Sequence, residues 1–398
     1  MNDFFDQVFV LLKHWVVGFF PPMGQPFVSA LLSVGAIIVV FALLFGITTV
    51  VERKMIGRVQ NRYGPNRVGL PFTGLRIYGF GQFIADGIKA LTKEDVVPRA
   101  ADKAVHFLAP VVLMVPVFLA YAVVPVGRNM APIDIDAGVL FFFAVGAATE
   151  LSVFMAGWSS RNKYSLLGAM RGIAQMISYE VPLIISAVTV VMMVGSLSTV
   201  KIVEAQAEYS GQWPHWHVFT PWGFAGLGLF LIAGMAECNR SPFDLPEGES
   251  EIVAGYFIEY SGFKFALFFL AEYLEMFAIS GMAITLFLGG WTAPLAFLAW
   301  LPSWLWFFAK LVAFLLFFIW VRGTLPRLRM DQLMNFAWKF MLPMALINIV
   351  AAGLWSLLSP GFGRWAVCSL LLVVPYVLLG RGLAGRKLLA KRTYRYAE

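Results

Sequence analysis

Charge is scarce in this chain: only 13% of its 398 residues are Asp, Glu, Lys or Arg. Cysteine is scarcer still. Cys238 and Cys368 are the only two, too few for the four ligands that an iron–sulfur cluster usually needs, and they imply no disulfide framework. There is no glycine-rich dinucleotide fingerprint between a strand and a helix, and no P-loop. Any redox chemistry the chain serves must therefore draw its cofactors from elsewhere. Histidine numbers four. His14 and His106 read as interfacial residues rather than ligands. His215 and His217, in GQWPHWHVF, have a spacing that could catch a metal, but no third ligand is evident.

Hydrophobicity fills the gap. Apolar residues make up 60% of the chain, with 37 Phe and 13 Trp, and the mean hydropathy is +0.76. Apolar runs of about 20 residues recur, which points to a polytopic membrane protein. Runs this long exclude the alternating strands of a barrel and leave an all-α fold. Nine spans are predicted, at about 28–50, 104–125, 137–157, 174–195, 222–238, 263–290, 303–321, 340–358 and 366–380. Segment 4–20 is also apolar, but Lys13 and His14 interrupt it and Pro21 and Pro22 end it. It reads as an amino-terminal interfacial helix, not as a cleavable signal, because it lacks a basic start and an obvious cleavage site.

The cations are distributed unevenly. Of the 30 Lys and Arg, 25 fall in the connections 51–103, 158–173, 239–264, 322–339 and 381–398. Lys13, Arg128, Lys201 and Arg364 lie on the opposite side, and Lys310 lies inside a span. Positive charge accumulates on the cytoplasmic side, so the amino terminus is expected outside and the carboxyl terminus inside. The net charge of +7 reflects this asymmetry and implies no nucleic-acid partner. Tryptophan-rich connections on the other side look like an interface belt. No internal repeat emerges, which argues against a secondary transporter.

Two cytoplasmic loops stand out. In residues 52–98, YGPN should turn. Phe80, Phe83, Ile84, Ile88 and Leu91 then share one helical face, with Asp86 and Lys89 as i,i+3 neighbours beside it. This is an amphipathic helix at the membrane surface. The other loop holds six of the 23 acids within residues 236–260. Pro242 and Pro246 stiffen it, Phe243, Leu245 and Ile252 interleave the acids, and Arg240 offers a planar fork for a carboxylate or polar ligand. A partly buried, ordered loop fits better than a free one.

Inside the spans lie Glu150, Glu180, Glu272 and Glu275, with Glu237 at the inner end of another. Each ionised acid at mid-bilayer costs roughly 2.5–3.5 kcal/mol. Structural pairing with Lys310 or a helix hydroxyl could account for one of them, but not for all. Acids that exchange protons are the alternative, and a proton relay requires them. Counted from the inner span ends, Glu150, Glu180 and Glu272 lie roughly 9–14 Å deep. That layer suits a path sideways in the membrane, or inward from the cytoplasm, better than a pore across it.

Four stretches carry a resemblance: ERKMIGRVQNRYGPNRVG (52–69), IADGIKALTKED (84–95), ISYEVP (177–182) and AECNRSPFDLPEGESEIVAGYFIEYSG (236–262) with FFLAEY (268–273). Across about 28–358 the chain resembles the family of H-type membrane subunits of respiratory complex I, the proton-pumping NADH:quinone oxidoreductase. The resemblance implies a multi-pass subunit of the prokaryotic cytoplasmic membrane, at the heel of an L-shaped complex. It would form the mouth and lower part of a quinone cavity, with quinone as substrate. FMN and iron–sulfur clusters would sit in partner subunits of the peripheral arm. Small membrane subunits would lead on to antiporter-like ones.

By the same resemblance, Arg240, Asp244, Glu247, Glu249 and Glu251 match charged positions near the quinone route. Arg53, Arg62, Asp86 and Lys89 match the cavity and its entrance. Glu150, Glu180, Glu237 and Glu272 match the relay carboxylates, with Glu259 as a further member. The amino-terminal helix and the first span would flank the entrance. The chain then divides into the interfacial helix (1–27), an eight-helix core (28–358) with loops 51–103 and 237–262, and a ninth helix with a basic tail (359–398). Three alternatives stay open: the homologous heel subunit of a membrane-bound hydrogenase or a ferredoxin- or coenzyme-linked complex, a free-standing ion transporter, and a structural anchor.

Overall fold

Where water is absent, a backbone must close its hydrogen bonds within each segment, and the apolar runs do so as helices. The computed structural model of the chain describes residues 2–69, 78–246, 248 and 252–384. They form α1 (Asn2–Val17), α2 (Gln25–Val59), α3 (Gln82–Thr92), α4 (Lys103–Ala120), α5 (Gly138–Gly146), α6 (Thr149–Ser159) and α7 (Lys163–Val194). Then come α8 (Thr199–Ala205), α9 (Pro221–Glu237), α10 (Gly262–Phe287), α11 (Ser303–Thr324), α12 (Met330–Phe336), α13 (Leu342–Leu357) and α14 (Phe362–Ala384). Two short strands, β1 (Tyr209–Ser210) and β2 (Trp213–Pro214), pair antiparallel between α8 and α9.

The fold is all-α and polytopic. Among the described residues, eight helices are long and apolar enough to cross a membrane, and Pro221–Glu237 is a shorter apolar helix. Each predicted span is helical. α5 and α6 together make one interrupted span, Gly138–Ser159, and a π-helical turn (Ala337–Met341) joins α12 to α13. Two boundaries move. α2 continues nine residues past 50, and α7 begins eleven residues before 174, capped by the Asn162 side chain on the Tyr164 amide. Both extensions carry polar residues that end an apolar run without ending its helix.

α10 is the centre of the bundle. From Ala271 to Phe287 every residue except Glu275 is buried, and α2, α4, α9 and α11 pack around it. Its tryptophan-rich end is clamped by two side chains. Gln206 Nε2 donates to the carbonyls of Thr285 and Leu286 at 3.1 and 3.2 Å. Lys310 Nζ donates to the carbonyls of Leu288, Gly290 and Thr292 at 2.7, 2.8 and 2.8 Å, 4.1 Å from the centre of a Trp216 ring. An ammonium has three donors, and all three are used here. Lys310 is therefore not the partner of the buried acids.

α1 lies along the same end. Lys13 Nζ donates to Ser33 Oγ at 2.7 Å, Phe9 meets Trp304 edge-on, and Asp6 accepts from the Ser303 amide at 2.7 Å. It does not flank the charged cluster at the basic end of α2. The helix that does is α3. It docks where α2 has no side chain: a Cβ on Gly46 would sit 2.7 Å from the Phe83 ring.

α9 has 17 residues, about 26 Å of helix, short of the roughly 30 Å hydrocarbon core. Its carboxyl end, Glu237, stops inside the bundle, and the chain stays there. Cys238, Arg240, Phe243, Asp244 and Leu245 are all buried. Gln175 Nε2 pins the segment by donating to the carbonyls of Ala236 and Phe243 at 2.7 and 2.6 Å. Farther along, a Cβ on Gly168 of α7 would come within 2.6 Å of Gly255 Cα, so only glycine admits the segment there. The buried, ordered loop inferred from Pro242 and Pro246 is what residues 238–246 form. Glu247, Glu249 and Glu251 lie outside the described residues, as does most of the basic tail.

Candidate functional site: a buried charge network and carboxylate cavity

The site starts with Arg240, which the end of α9 delivers into a dry setting, 7% exposed. Its guanidinium lies 3.9 Å from the Tyr273 ring centre. Its Nη1 is 3.5 Å from Glu52 Oε1. Glu52, on the buried face of α2, also accepts from Tyr273 Oη at 2.5 Å and pairs with Arg322 from α11. Burial works against the charge of Arg240, but Tyr273, Glu52 and Glu272 raise its pKa above the usual arginine value, so it stays cationic. Its Nε and Nη2 have no hydrogen-bond partner among the described residues. The fork inferred from sequence thus holds one carboxylate and keeps two donors unspent.

Beside it, Asp244 Oδ2 accepts from Arg327 at 2.5 Å. The two influences on Asp244 oppose each other. Burial pushes its carboxyl up, Arg327 pulls it down, and burial prevails. Short as it is, this contact leaves Asp244 easier to protonate than an ordinary aspartate.

Deeper in the bundle, Glu180 of α7, Glu237 of α9 and Glu275 of α10 line one cavity of about 30 Å³. Thr149 shares its wall, and Pro116, Val117, Phe142, Phe143 and Leu183 close it with apolar surface. Glu150 stands next to Thr149 at the start of α6, and its Oε1 is buried without a partner among the described residues. Glu272, one turn from Glu275, accepts from Tyr256 Oη at 3.3 Å and adjoins Tyr273 in sequence. Because α7 begins at Lys163, Glu180 is about 26 Å along that helix. The acids therefore converge at the level where α9 ends, rather than in one layer below the helix starts.

A third cluster occupies the basic end. Arg53 Nη1 reaches Asp86 Oδ2 at 2.6 Å, while Gln82 and Lys89 approach the other oxygen at 3.1 and 3.3 Å. Partial burial opposes ionisation of Asp86, but Arg53 holds its carboxyl below the usual range. Ile88 and Leu91 of α3 are exposed, so the predicted amphipathic helix presents an apolar stripe beside these charges.

Not every expected residue joins a cluster. Arg62 is exposed and its Nε turns back to Gln60 Oε1 at 2.8 Å. Glu259 accepts from Asn162 Nδ2 at 2.7 Å, and it is absent from the cavity wall. His106 is packed inside the protein, stacked on Tyr260, with Nε2 3.3 Å from the Glu259 carbonyl. Burial against Trp222 lowers His217 to about 4 and keeps it neutral.

Sequence reasoning missed Glu52, Tyr273, Arg322 and Arg327 as site residues. Glu52 opens the ERK motif and Tyr273 closes FFLAEY, so a signal was there for two of them. The two arginines offered none, because they meet the site only through the fold.

A family model described as NADH dehydrogenase matches residues 32–353. The chain is similar to the H-type subunit of NADH-quinone oxidoreductase from Dehalococcoides mccartyi (strain CBDB1), 47% identical over 350 residues, which is 86% of this chain and 93% of that protein. It is similar to the same subunit from Geobacillus kaustophilus (strain HTA426), 46% identical over 331 residues, 82% of this chain and 94% of that one. The corresponding figures for the Bacillus mycoides (strain KBAB4) protein are 47% over 322 residues, 80% and 92%.

Proposed function

Because the chain belongs to the family of H-type subunits of NADH-quinone oxidoreductase, complex I, and is thus one membrane subunit of an oxidoreductase, we propose that it lines the quinone cavity and relays the charge change of quinone reduction through its buried carboxylates. One observation carries this reading. Arg322, Glu52, Arg240 and Tyr273 form one run of paired and stacked groups; Asp244, paired with Arg327, lies four residues from Arg240 on the same buried segment, and Glu272, next to Tyr273 in sequence, comes one turn before the part of α10 that lines the Glu180–Glu237–Glu275 cavity.

The physics of each part is simple. Reducing a quinone by two electrons takes up two protons in a poorly solvated place. The two unspent donors of Arg240 suit a quinone carbonyl oxygen, and Glu247, Glu249 and Glu251 continue the same acidic segment. Arg53, Asp86 and Lys89, beside the exposed stripe of α3, form the mouth through which a lipid-soluble quinone enters. Arg62 lies on the outer rim of that mouth. Carboxylates that share a dry site titrate as a group, so protonation of one perturbs Glu272, then Glu237 and Glu180, then Glu150. Glu259 stands to one side and tethers α7 to the loop. Moving one charge through 100 mV takes roughly 2.3 kcal/mol, the equivalent of less than two pKa units.

In this arrangement the basic end faces the cytoplasm of a prokaryote, with the amino terminus outside and the carboxyl terminus inside. Partner subunits that carry FMN and iron–sulfur clusters cover the basic end. Small membrane subunits, and beyond them antiporter-like ones, receive the charge from Glu150. α1 is an interfacial helix on the far surface, and α14 with the basic tail adds to an eight-helix core.

Glu237→Gln in the whole complex tests the proposal. Quinone-linked proton pumping should fall at least tenfold, while assembly and NADH oxidation by an artificial acceptor that bypasses quinone stay intact. Normal pumping would remove Glu237 from the relay.

A further inference from the structure

Glu275 is the one acid of the cavity wall that the resemblance leaves without a role. It lies three positions after Glu272, so the two carboxylates are neighbours on the same side of α10. They turn to different partners. Glu272 meets the Tyr256 hydroxyl, and Glu275 faces the cavity together with Glu180 and Glu237. In the otherwise fully buried stretch Ala271–Phe287, Glu275 is the only residue that keeps contact with open space.

Two further atoms show what that space holds. Thr149 Oγ1 and Glu237 Oε2 have no hydrogen-bond partner among the described residues, although their residues are only 1% and 5% exposed. Both residues line this cavity. Buried polar atoms are nearly always satisfied, and a buried water is held by two to four polar partners. A volume of about 30 Å³ has room for roughly two waters. The other residues of the wall carry only apolar side chains or none and offer such waters no side-chain partner. Their partners must be Thr149 and the three carboxylates.

We propose that Glu275 is a third proton-exchanging carboxylate, joined to Glu237 and Glu180 by one or two waters held in this cavity, an assignment that rests on the carboxylate relay described above. A proton arriving at Glu237 passes to the bridging water, which releases one of its own to Glu275 or Glu180. The water is regenerated, and the proton count of the three acids rises by one. Thr149 of the same wall is followed directly by Glu150, which places Glu150 next to this cavity. The relay therefore has two parallel exits, through Glu180 and through Glu275.

The test uses the intact complex carrying Glu275→Gln, Glu275→Asp or Glu237→Gln. The readouts are the infrared difference spectrum between its quinone-reducing and resting states, and proton pumping in sealed vesicles. Glu275→Gln should abolish one deuterium-sensitive carboxylic-acid band and slow pumping severalfold, less than Glu237→Gln does. Glu275→Asp should restore the band at a shifted frequency. A Glu275→Gln spectrum superimposable on the unaltered one, beside a band lost in Glu237→Gln, overturns the role of Glu275 and leaves the relay standing. Unchanged spectra in both variants overturn the relay itself. If Glu275→Gln fails to assemble, Glu275→Asp decides: a shifted band supports the role, and an unshifted one refutes it.

Discussion

Replacing Glu52 by glutamine removes one negative charge and little else. The side chain keeps its shape, and its amide oxygen can still accept from Tyr273. What changes is the setting of Arg240, buried and 3.5 Å from that carboxylate. At an effective dielectric of about 20, two unit charges at this distance attract by about 5 kcal/mol. Breaking a buried pair by removing one partner typically costs about 3–5 kcal/mol, because the remaining charge is left uncompensated. Arg322 partly escapes, since a third of its side chain is exposed, so the lower figure of about 3 kcal/mol is the better one. Felt in the native complex and not in the unfolding transition state, it accelerates thermal inactivation on the order of a hundredfold. The assay is the rate at which the assembled complex loses this subunit's folded form at a fixed elevated temperature, followed by native electrophoresis. NADH oxidation by a quinone-bypassing acceptor serves as the internal control and should decay unchanged. The double variant Glu52→Gln/Arg240→Gln removes the orphaned cation and should decay more slowly than Glu52→Gln alone. If the two decay alike, or if Glu52→Gln matches the unaltered complex, Glu52 is not what holds Arg240.

Two other outcomes follow from the same structure. Burial raises the pKa of Asp244, so the folded chain binds that proton more tightly than the unfolded one. The stability from this group is present below the ordinary aspartate value and is lost as pH rises through the raised one. Asp244→Asn should flatten that part of the pH dependence of thermal inactivation, and an unaltered slope would show that Asp244 is not its source. Lys310→Met strips three carbonyls of their donors at about 1–3 kcal/mol each. It should sharply lower the yield of assembled complex, and a normal yield would mean that the clamp is dispensable.

Much of the architecture was legible in the sequence because a long apolar run has one solution in lipid. The ends of the helices were harder to read. The run at 28–50 stops at Glu52 and Arg53, yet α2 continues to Val59, because polar residues there still form helix: Glu52 is buried against Tyr273 and Arg322, while Arg53, Arg58 and Val59 of the same turns are exposed. The acidic loop could be read as ordered, since two prolines and interleaved apolar side chains are local signals. Its anchors could not. Arg322 is 270 positions from Glu52, and nothing near either residue announces the other. Lys310 misled for the same reason: one cation among several acids suggests a pair until the fold places it at the opposite end of α10.

The clamp on α10 has a mechanical corollary. With its last turn fastened by Gln206 and the residues just after it by Lys310, this 26-residue rod, about 39 Å long, is hinged at one tip. A swing of a single degree about that fastening would carry the opposite tip by roughly 0.7 Å, by the geometry of a rod of that length. Whatever leverage quinone chemistry exerts on this chain would be felt most strongly at the tip that leads into the acidic segment, and least near the tryptophans.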